Sequence, residues 1–233
     1  MISSQACRWH EFAHRSDLEQ AIVRAIAACA HRAIAAHGAF RIVLAGGSTP
    51  RNIYRALRAV EMDWSAWHIY FGDERCVPPD DPERNSRMAR TAWLDHVGIP
   101  VRQIHSIPAE LGPEAAAASY AQTLAGVGEF DLVLLGLGAD GHTASLFPGR
   151  VWEREKTPPA VIPVLDAPKP PQHRVSLSPA RLSRATQAIF AVGGADKRAA
   201  LQAWRGGAAI PPPPDSSARR RRCLFQLFAV ITP

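Results

Sequence analysis

The chain has 233 residues, of which 47% are apolar, so it can bury a substantial core and we expect a single α/β domain over residues 1–233. No stretch approaches the roughly 18 consecutive apolar residues of a membrane span, and the N-terminus lacks the charged-then-apolar order of a signal peptide, which favours a cytoplasmic protein without a membrane partner. The net charge of +6 arises largely from four arginines at residues 219–222, and because no nucleic-acid-binding motif accompanies them we expect no nucleic-acid partner.

The predicted elements alternate between helices and strands. Ser16 and Glu19 have the spacing of a capping box, and apolar residues then recur at helical period until Gly38, which predicts a first helix closed by a C-terminal glycine. The elements predicted from there to Gly149 are strands at residues 40–45, 67–71 and 131–135 and helices at residues 84–96 and 112–127. The apolar runs are continuous rather than alternating, which predicts a mostly parallel sheet covered on both faces.

Beyond Gly149 the chain is richer in proline. Irregular surface segments are predicted there by Pro158, Pro159, Pro168, Pro170 and Pro171. Regular structure then returns, with strands predicted at residues 173–178 and 187–192, a helix at residues 195–204 and a candidate last strand at residues 223–231. Four prolines at residues 211–214 precede that last strand. No internal repeat is present.

Residues 10–14, HEFAH, match the zinc-protease pattern H-E-x-x-H, in which both histidines share one face of a helix. The match ends before Ser16, so we place His10 and His14 in an N-terminal strand or lead-in without helical register, and we expect no metal. The cysteines also argue against a zinc knuckle or a disulfide framework, because no two of them form a C-x-x-C pair. They are Cys7, Cys29, Cys76 and Cys223.

Residues 136–141, GLGADG, match the dinucleotide-binding fingerprint G-x-G-x-x-G and follow a predicted strand. A Rossmann crossover needs a long helix after the third glycine, but Phe147, Pro148 and Gly149 interrupt the chain within eight residues, so we expect no nicotinamide cofactor. The glycines instead predict a sharp turn at a strand end. The backbone N–H groups of such a turn can hold an anion or a developing oxyanion.

Gly46 and Gly47 follow a predicted strand and precede a second predicted helix. Ser48 or Thr49 is suited to the N-cap of that helix, and Pro50 is suited to its first position. A helix N-terminus carries unpaired N–H donors and the positive end of the helix dipole, so a phosphate group is a natural ligand, and the two hydroxyls are extra donors. The segment therefore predicts an anion-binding site.

Charged side chains stand at other predicted strand ends and helix starts. Asp73, Glu74 and Arg75 leave the strand predicted at residues 67–71, at an edge that borders the ligand crevice in sheets of this class. Arg75 can bind a phosphate or carboxylate through its planar fork, but a structural ion pair with its acidic neighbours is an equally good interpretation. Arg174 opens a strand and Lys197 lies near a helix start, and each alone is typical of a solvated surface.

Five separated segments together resemble the 6-phosphogluconolactonase family, within the larger group that includes glucosamine-6-phosphate deaminase. The segments are LAGGSTPRNIY, IYFGDERCVPPDDPERNS, FDLVLLGLGADGHTASLFPG, RVSLSPARL and IFAVGGADKRAAL. The resemblance spans about residues 9–204 and is most specific in GADGHTASLFPG. It implies a three-layer α/β sandwich with a mostly parallel, modified Rossmann-like sheet, of the kind seen in glucosamine-6-phosphate deaminase and ribose-5-phosphate isomerase.

The resemblance also implies a reaction, the hydrolysis of 6-phospho-D-glucono-1,5-lactone to 6-phosphogluconate, which is the second step of the oxidative pentose phosphate pathway. In the matching motif His142 is the general base that takes a proton from water as the water attacks the lactone carbonyl. Imidazole suits this role because it titrates near neutral pH and can return the proton to the leaving ring oxygen. Asp140 or Asp73 is the candidate partner that orients the imidazole. No metal or cofactor is implied.

The implied phosphate site combines backbone N–H groups, hydroxyls and cations. Its members are Gly46, Gly47, Ser48 and Thr49, with Lys197 and either Arg75 or Arg174 as cationic partners. Binding energy from the phosphate end can hold the carbonyl at the base, so we expect its loss to lower turnover as well as affinity. We expect the enzyme to act on this small phosphorylated lactone as a monomer.

Two other functions stay open. An isomerising deaminase acting on an amino-sugar phosphate would share the fold and the phosphate site, but such enzymes carry an acidic residue in an Asn-Glu-Pro stretch where this chain has Leu146, Phe147 and Pro148. A non-catalytic sugar-phosphate sensor would keep the fold, although the presence of both the phosphate loop and His142 argues against it. The basic segment at residues 211–233 diverges from the usual ending of the family, so we expect a weakened final element.

Overall fold

A seven-stranded sheet runs through the centre of the protein in the computed structural model, which describes residues 7–150, 159–206 and 224–230. Its strands are β1 (Cys7–Phe12), β2 (Phe40–Leu44), β3 (Trp67–Phe71), β5 (Ile104–His105), β6 (Phe130–Leu135), β9 (Ala185–Val192) and β10 (Leu224–Val230). A second sheet contains β4 (Asp73–Arg75), β7 (Val161–Val164) and β8 (Arg174–Leu177). The helices are α1 (Arg15–His37), α2 (Ser48–Leu57), α3 (Asn85–Ala92), α4 (Pro113–Thr123), α5 (Pro179–Ser183) and α6 (Arg198–Arg205).

The predicted mostly parallel sheet is confirmed, because every neighbouring pair in the seven-stranded sheet is parallel. The spatial order is β1-β10-β9-β6-β2-β3-β5. The strand after β2 in the chain, β3, pairs with one edge of β2. The strand β6 pairs with the opposite edge of β2, and β9 and β10 lie beyond β6 in the sheet. The connections therefore diverge between β2 and β6. In open α/β sheets such a divergence leaves a crevice at the carboxyl ends of the strands, where ligands bind.

Helices and the second sheet cover the central sheet. The long helix α1 packs against five of the sheet strands, and α2 packs between α1 and α3. Helix α4 packs against β7 and β8 of the second sheet. The apolar face of α1 is fully buried at Leu18, Ile22 and Ile26. The arrangement is the α/β sandwich that the resemblance implies, with a parallel sheet buried between other layers.

Two predicted helix caps are wrong. Helix α1 begins one residue before Ser16, and its capping box does not form because Glu19 instead accepts a hydrogen bond from Asn52 of α2 at 2.9 Å. Helix α2 is capped by Gly47, with neither Ser48 nor Thr49 as the cap and with Pro50 at the third helical position rather than the first. Gly47 has φ of 106°, a conformation that favours glycine, so the chain makes its sharp turn there.

Three predicted helices are shorter than expected, and one of them, predicted at residues 112–127, is α4, which ends at Thr123. The helix predicted at residues 84–96 ends at Ala92, because Trp93 leaves the helical conformation with φ of −155° before a single 3₁₀ turn at Leu94–His96. The helix predicted at residues 195–204 starts with a 3₁₀ turn, Ala195–Lys197, that leads into α6. The predicted strands at residues 67–71, 131–135 and 187–192 are confirmed, each within one or two residues.

The second sheet, with antiparallel order β4-β8-β7, was not predicted. Its edge strand β7 lies in the proline-rich region that the sequence predicted as irregular. Pro163 is exposed on that strand, and an edge strand tolerates a proline because it needs only one ladder of hydrogen bonds. The small sheet matters for the site because β4 carries Asp73 and Arg75 and β8 begins at Arg174.

The HEFAH segment forms no helix. His10 lies in β1, where its ring is hydrogen-bonded to Gln226 at 3.1 Å and stacks on Phe228, and His14 is the residue before α1. Cys29 and Cys76 are free thiols, whereas the side chains of Cys7 and Cys223 lie outside the described part of the chain. Among the residues described, no helix combines the length and apolarity required to cross a membrane.

The predicted last strand is confirmed as β10, which pairs with β1 on one side and β9 on the other. This placement makes β10 an integral strand of the central sheet. The other residues of the divergent segment, 211–223 and 231–233, including the arginine run, lie outside the described residues.

Candidate active site

A cavity of about 310 Å³ opens at the carboxyl ends of the central strands, where the connections diverge. Nine of the ten predicted site residues line it. They are Gly46, Gly47, Ser48, Thr49, Asp73, Arg75, His142, Arg174 and Lys197. The tenth, Asp140, contacts His142. The cavity thus brings residues from five separate parts of the chain to one place, and its volume suits a small ligand.

His142 and Asp140 form a hydrogen-bonded pair. Asp140 Oδ1 lies 2.5 Å from His142 Nδ1, and because an ionised carboxylate can only accept, Nδ1 is the donor and Nε2 is the nitrogen that can act as a base when the ring is neutral. Asp140 Oδ2 is also 3.2 Å from Lys169 Nζ. Partial burial alone would raise the pKa of Asp140, but the hydrogen bonds and charges of His142 and Lys169 lower it to about 2. Asp140 is therefore ionised near neutral pH.

The glycine turn after β6 holds this pair against its own backbone. A Cβ atom on Gly138 would lie 2.0 Å from His142 Nδ1 and 2.4 Å from Asp140 Oδ1, so the pair packs directly over the bare Cα of Gly138. The Gly138 N–H donates to the His142 carbonyl at 2.7 Å, and the Gly141 N–H donates to the Gly138 carbonyl at 3.0 Å. These two amides stabilise the turn itself and are not free to hold an oxyanion.

Asp73 takes part in a different set of hydrogen bonds. It is buried, and its carboxylate accepts from Ser145 Oγ at 2.7 Å and from Asn85 Nδ2 at 3.2 Å. Ser145 belongs to the tight turn of residues 143–146 that follows His142, where Thr143 and Leu146 exchange backbone hydrogen bonds. Of the two aspartates predicted as candidate partners for His142, Asp140 is the one that contacts its ring, and Asp73 instead holds the next turn of the chain.

Glu74 is structural rather than ligand-binding. Its fully buried carboxylate accepts the backbone N–H groups of Asn85 at 2.7 Å and Ser86 at 2.8 Å, and thereby caps the start of α3. Arg84 Nε lies 3.5 Å away. Burial raises the pKa of Glu74, and these hydrogen bonds oppose that shift. The Asp73, Glu74 and Arg75 cluster thus divides, with Glu74 facing inward and its two neighbours facing the cavity.

The N-terminus of α2 supplies donors to the opposite part of the cavity. Ser48 and Thr49 are the first two residues of the helix, whose leading N–H groups have no intrahelical partners. Thr49 is buried, and a Cβ on Gly193 would lie 3.1 Å from its hydroxyl, so Thr49 packs against the turn after β9. The predicted anion-binding geometry, a helix N-terminus flanked by two hydroxyls, is present.

Two arginines stand directly opposite each other across the second sheet. Arg75 on β4 is the register partner of Arg174 on β8, and like charges in this arrangement repel. Arg174 is buried, and its Nε and Nη2 donate to the carbonyls of Pro171, Lys169 and Pro170 at 2.9 to 3.2 Å. Burial lowers the pKa of Arg174, which Asp73 opposes.

Arg75 is less buried. Its Nη1 contacts the backbone carbonyl of Glu83 at 2.5 Å, and its Nε has no hydrogen-bond partner within the described part of the chain. Lys197 closes the same cavity from the turn before α6, with its side chain about a quarter exposed and its Nζ 2.9 Å from Asp196. Three cations, Arg75, Arg174 and Lys197, therefore face one small space, as an anionic ligand requires.

The described residues do not include a group of side chains suited to bind a metal ion. Within residues 7–150, 159–206 and 224–230, no three His, Cys, Asp or Glu side chains are grouped as a metal ion would need.

The sequence reasoning missed three residues that support the site. Asn85 links Asp73 to the start of α3, Ser145 links Asp73 to the turn beyond His142, and Lys169 contacts Asp140. Asn85 and Ser145 stood within the segments that carried the resemblance, so a search for polar residues in those segments could have found them. Lys169 lies among prolines that were predicted only as irregular surface, and no local signal marked it.

Comparison with known proteins adds an independent line of evidence. A family profile described as "Glucosamine-6-phosphate isomerases/6-phosphogluconolactonase" matches residues 13–224. A 6-phosphogluconolactonase from Mycobacterium leprae is 41% identical over 197 residues, which cover 78% of this chain and 79% of that protein. One from a Nostoc species is 43% identical over 178 residues, covering 72% of each. The solved structure of a 6-phosphogluconolactonase from Trypanosoma brucei superposes with a TM-score of 0.80 and 28% identity, covering 96% of each chain.

Proposed function

This chain belongs to the glucosamine-6-phosphate isomerase/6-phosphogluconolactonase family, and from that premise we propose that it hydrolyses 6-phospho-D-glucono-1,5-lactone to 6-phosphogluconate, the second step of the oxidative pentose phosphate pathway. The observation that carries the proposal is the content of one cavity. A histidine paired with a carboxylate and a cation-rich helix N-terminus both line it. The first group suits ester hydrolysis and the second suits a phosphate.

In the proposed reaction His142 is the general base. Its Nε2 accepts a proton from water while the water oxygen bonds to the lactone carbonyl carbon, which gives a tetrahedral oxyanion. The oxyanion then collapses, the bond from the carbonyl carbon to the ring oxygen breaks, and the imidazolium returns the proton to that oxygen. The product is the open-chain acid, which ionises. Because the Gly138 and Gly141 amides are engaged in the turn, we assign oxyanion stabilisation to the positive field of the cavity.

Asp140 and Asp73 have different proposed roles. Asp140 accepts a hydrogen bond from His142 Nδ1–H, which fixes the tautomer and stabilises the imidazolium that forms during attack. Asp73 acts on the same turn from the other side, because its bond to Ser145 anchors the residues that follow His142. Asp73 also lines the cavity, so its negative charge faces the space into which the substrate enters.

The phosphate of the substrate is proposed to bind at the N-terminus of α2. The backbone N–H groups and hydroxyls of Ser48 and Thr49 are the donors, with Gly46 and Gly47 forming the turn that exposes them. Arg174 and Lys197 are the proposed cationic partners, with Arg75 completing the positive rim. Arg174 is held rigidly by three backbone carbonyls, so it loses little conformational entropy on binding an anion.

The position after the turn favours the lactonase over the deaminase. Leu146 and Phe147 are buried, and the Phe147 ring packs against the His142 ring with centroids 4.9 Å apart. A deaminase of this group needs a carboxylate in this stretch, and an apolar ring there cannot supply one.

The proposed function is tested by incubating the purified protein with two substrates. Freshly generated phospholactone should disappear in a coupled assay faster than its spontaneous hydrolysis, and glucosamine 6-phosphate should release no ammonia. Ammonia release from the second substrate without hydrolysis of the first would overturn the proposal in favour of the deaminase. Binding of 6-phosphogluconate without turnover of either substrate would instead indicate a sensor.

Substitution of Lys197 by methionine should weaken use of the phosphorylated substrate specifically. A charge-assisted hydrogen bond is worth about 1.5–3 kcal/mol, so we expect kcat/KM for the phospholactone to fall about 10- to 100-fold. The matched control is the unphosphorylated D-glucono-1,5-lactone, whose much slower hydrolysis should be the same in both proteins. An equal loss on both lactones would place Lys197 in the fold or at the reacting carbonyl instead of at the phosphate.

The monomeric state and the cytoplasmic location stay predictions. Sedimentation of the active protein and its distribution between cell fractions would test them.

A further inference from the structure

Asp140 lies between two positively charged or proton-bearing groups. Its Oδ1 is 2.5 Å from His142 Nδ1, and its Oδ2 is 3.2 Å from Lys169 Nζ. Resting on the proposed function, we propose that Lys169 is a positioning residue that fixes the Asp140 carboxylate against the His142 ring and tunes the proton affinity of that pair. Lys169 does not line the cavity, so it acts through Asp140 rather than on the substrate.

The backbone of Lys169 is itself fixed by the buried Arg174. The Arg174 guanidinium donates to the Lys169 carbonyl at 3.1 Å and to the carbonyls of Pro170 and Pro171 at 3.2 and 2.9 Å. Arg174 also lines the cavity at its proposed phosphate end. One residue therefore contacts both functional parts of the site, through its carbonyl at Arg174 and through its ammonium at Asp140.

The electrostatic consequence follows from the charges that face the pair. Asp140 alone would stabilise a protonated His142 ring strongly, because the two groups share a short hydrogen bond. Lys169 neutralises part of the Asp140 charge and adds a positive charge near the ring, and both effects disfavour the imidazolium. Arg174 on β8 acts in the same direction from farther away, and the other face of the ring packs on apolar Phe147.

The sign of the expected change can be worked out directly. Removing the Lys169 charge stabilises the protonated ring, so a higher pH is needed to free the base. The acid limb of the kcat/KM profile should therefore move to higher pH in Lys169→Met. The Lys169 side chain is nearly half exposed, so screening limits the shift to about 0.5–1 pH unit at low salt, with a smaller shift at high salt.

The test compares Lys169→Met with Lys169→Arg, which keeps the charge, and with Arg24→Met, which removes an exposed cation on α1. The acid limb should move up only in Lys169→Met. Asp140→Asn should move it in the opposite direction, because the negative charge beside the ring is lost. An unchanged acid limb in Lys169→Met, or an equal shift in Arg24→Met, would overturn the proposal.

A second measurement separates this proposal from the proposed function. The pH titration of the His142 ring, followed by NMR in the ligand-free protein, needs no substrate and no turnover. Its midpoint should rise in Lys169→Met and stay at the wild-type position in Lys169→Arg. Failure of the wild-type protein to hydrolyse the lactone would contradict the proposed function. An unchanged midpoint in Lys169→Met would contradict the proposal for Lys169.

Discussion

Replacing His142 with alanine should remove most of the lactone hydrolysis while leaving phosphate-ligand binding in place. General-base catalysis contributes about 10²- to 10⁴-fold, so we expect a loss of that size in kcat. The ring contacts Asp140 and Phe147 but lies at the cavity surface, with its side chain one-fifth exposed, so the variant should fold. The coupled phospholactone assay measures turnover, and calorimetry with 6-phosphogluconate measures binding.

The matched control is His31→Ala, which removes an exposed histidine from α1 far from the cavity. This variant should keep wild-type turnover and binding. If His142→Ala kept wild-type turnover, His142 would have no part in the mechanism. If instead both turnover and binding disappeared, the ring would be needed for the shape of the site and not for chemistry.

The second large effect is expected from Gly138→Ala. A Cβ at this position would lie 2.0 Å from His142 Nδ1 and 2.4 Å from Asp140 Oδ1, so both side chains must swing away from their present places. The backbone of Gly138 is not in the left-handed region, so alanine fits its conformation and the fold should survive. A misplacement of about 1 Å can cost about 10²-fold in turnover, and we expect a fall in kcat of that order.

The control for this variant is Gly98→Ala, where an added Cβ meets no heavy atom within 4 Å. Turnover and thermal unfolding should be measured for both proteins. Gly98→Ala should match the wild type in both. If Gly138→Ala kept full turnover with an unchanged melting temperature, the contact of the pair with the Gly138 Cα would be irrelevant to catalysis.

Buried strands were predicted well because their signal is local. Residues 132–135 are apolar on both faces, as a strand in the middle of a parallel sheet requires, and β6 is buried along its whole length. The short strands β4 and β5 escaped prediction because two or three residues carry no period. Their pairing is decided by neighbours distant in sequence, such as β8 for β4.

Helix ends were predicted less well because tertiary contacts compete for capping side chains. Glu19 has the spacing of a capping box, yet it binds Asn52 on the neighbouring helix. Thr49 has the side chain of an N-cap, yet it packs beside Gly193 and leaves Gly47 to make the turn. In both cases the local preference is worth about 1 kcal/mol, which one tertiary hydrogen bond or a buried packing position can match.

The residues of the site were predicted from the sequence, but the hydrogen bonds between them were not. Nine of the ten predicted residues line the cavity, because strand ends and glycine turns mark the crevice of a parallel sheet. The sequence alone left open which aspartate meets His142, since both stand near strand ends. The choice depends on the turn at Gly138, which folds Asp140 back over the ring, and on Ser145, which holds Asp73.

The pairing of β1 with β10 imposes an order on folding. His10 and Gln226 are hydrogen-bonded partners 216 positions apart, and β10 is in turn held by β9. The loop-closure entropy of such distant segments makes their contact slow to form. Until it forms, an unpaired strand edge can pair with strands of other chains and aggregate. The strand β1 therefore cannot take its place in the sheet until β10, which is made near the end of synthesis, has joined β9.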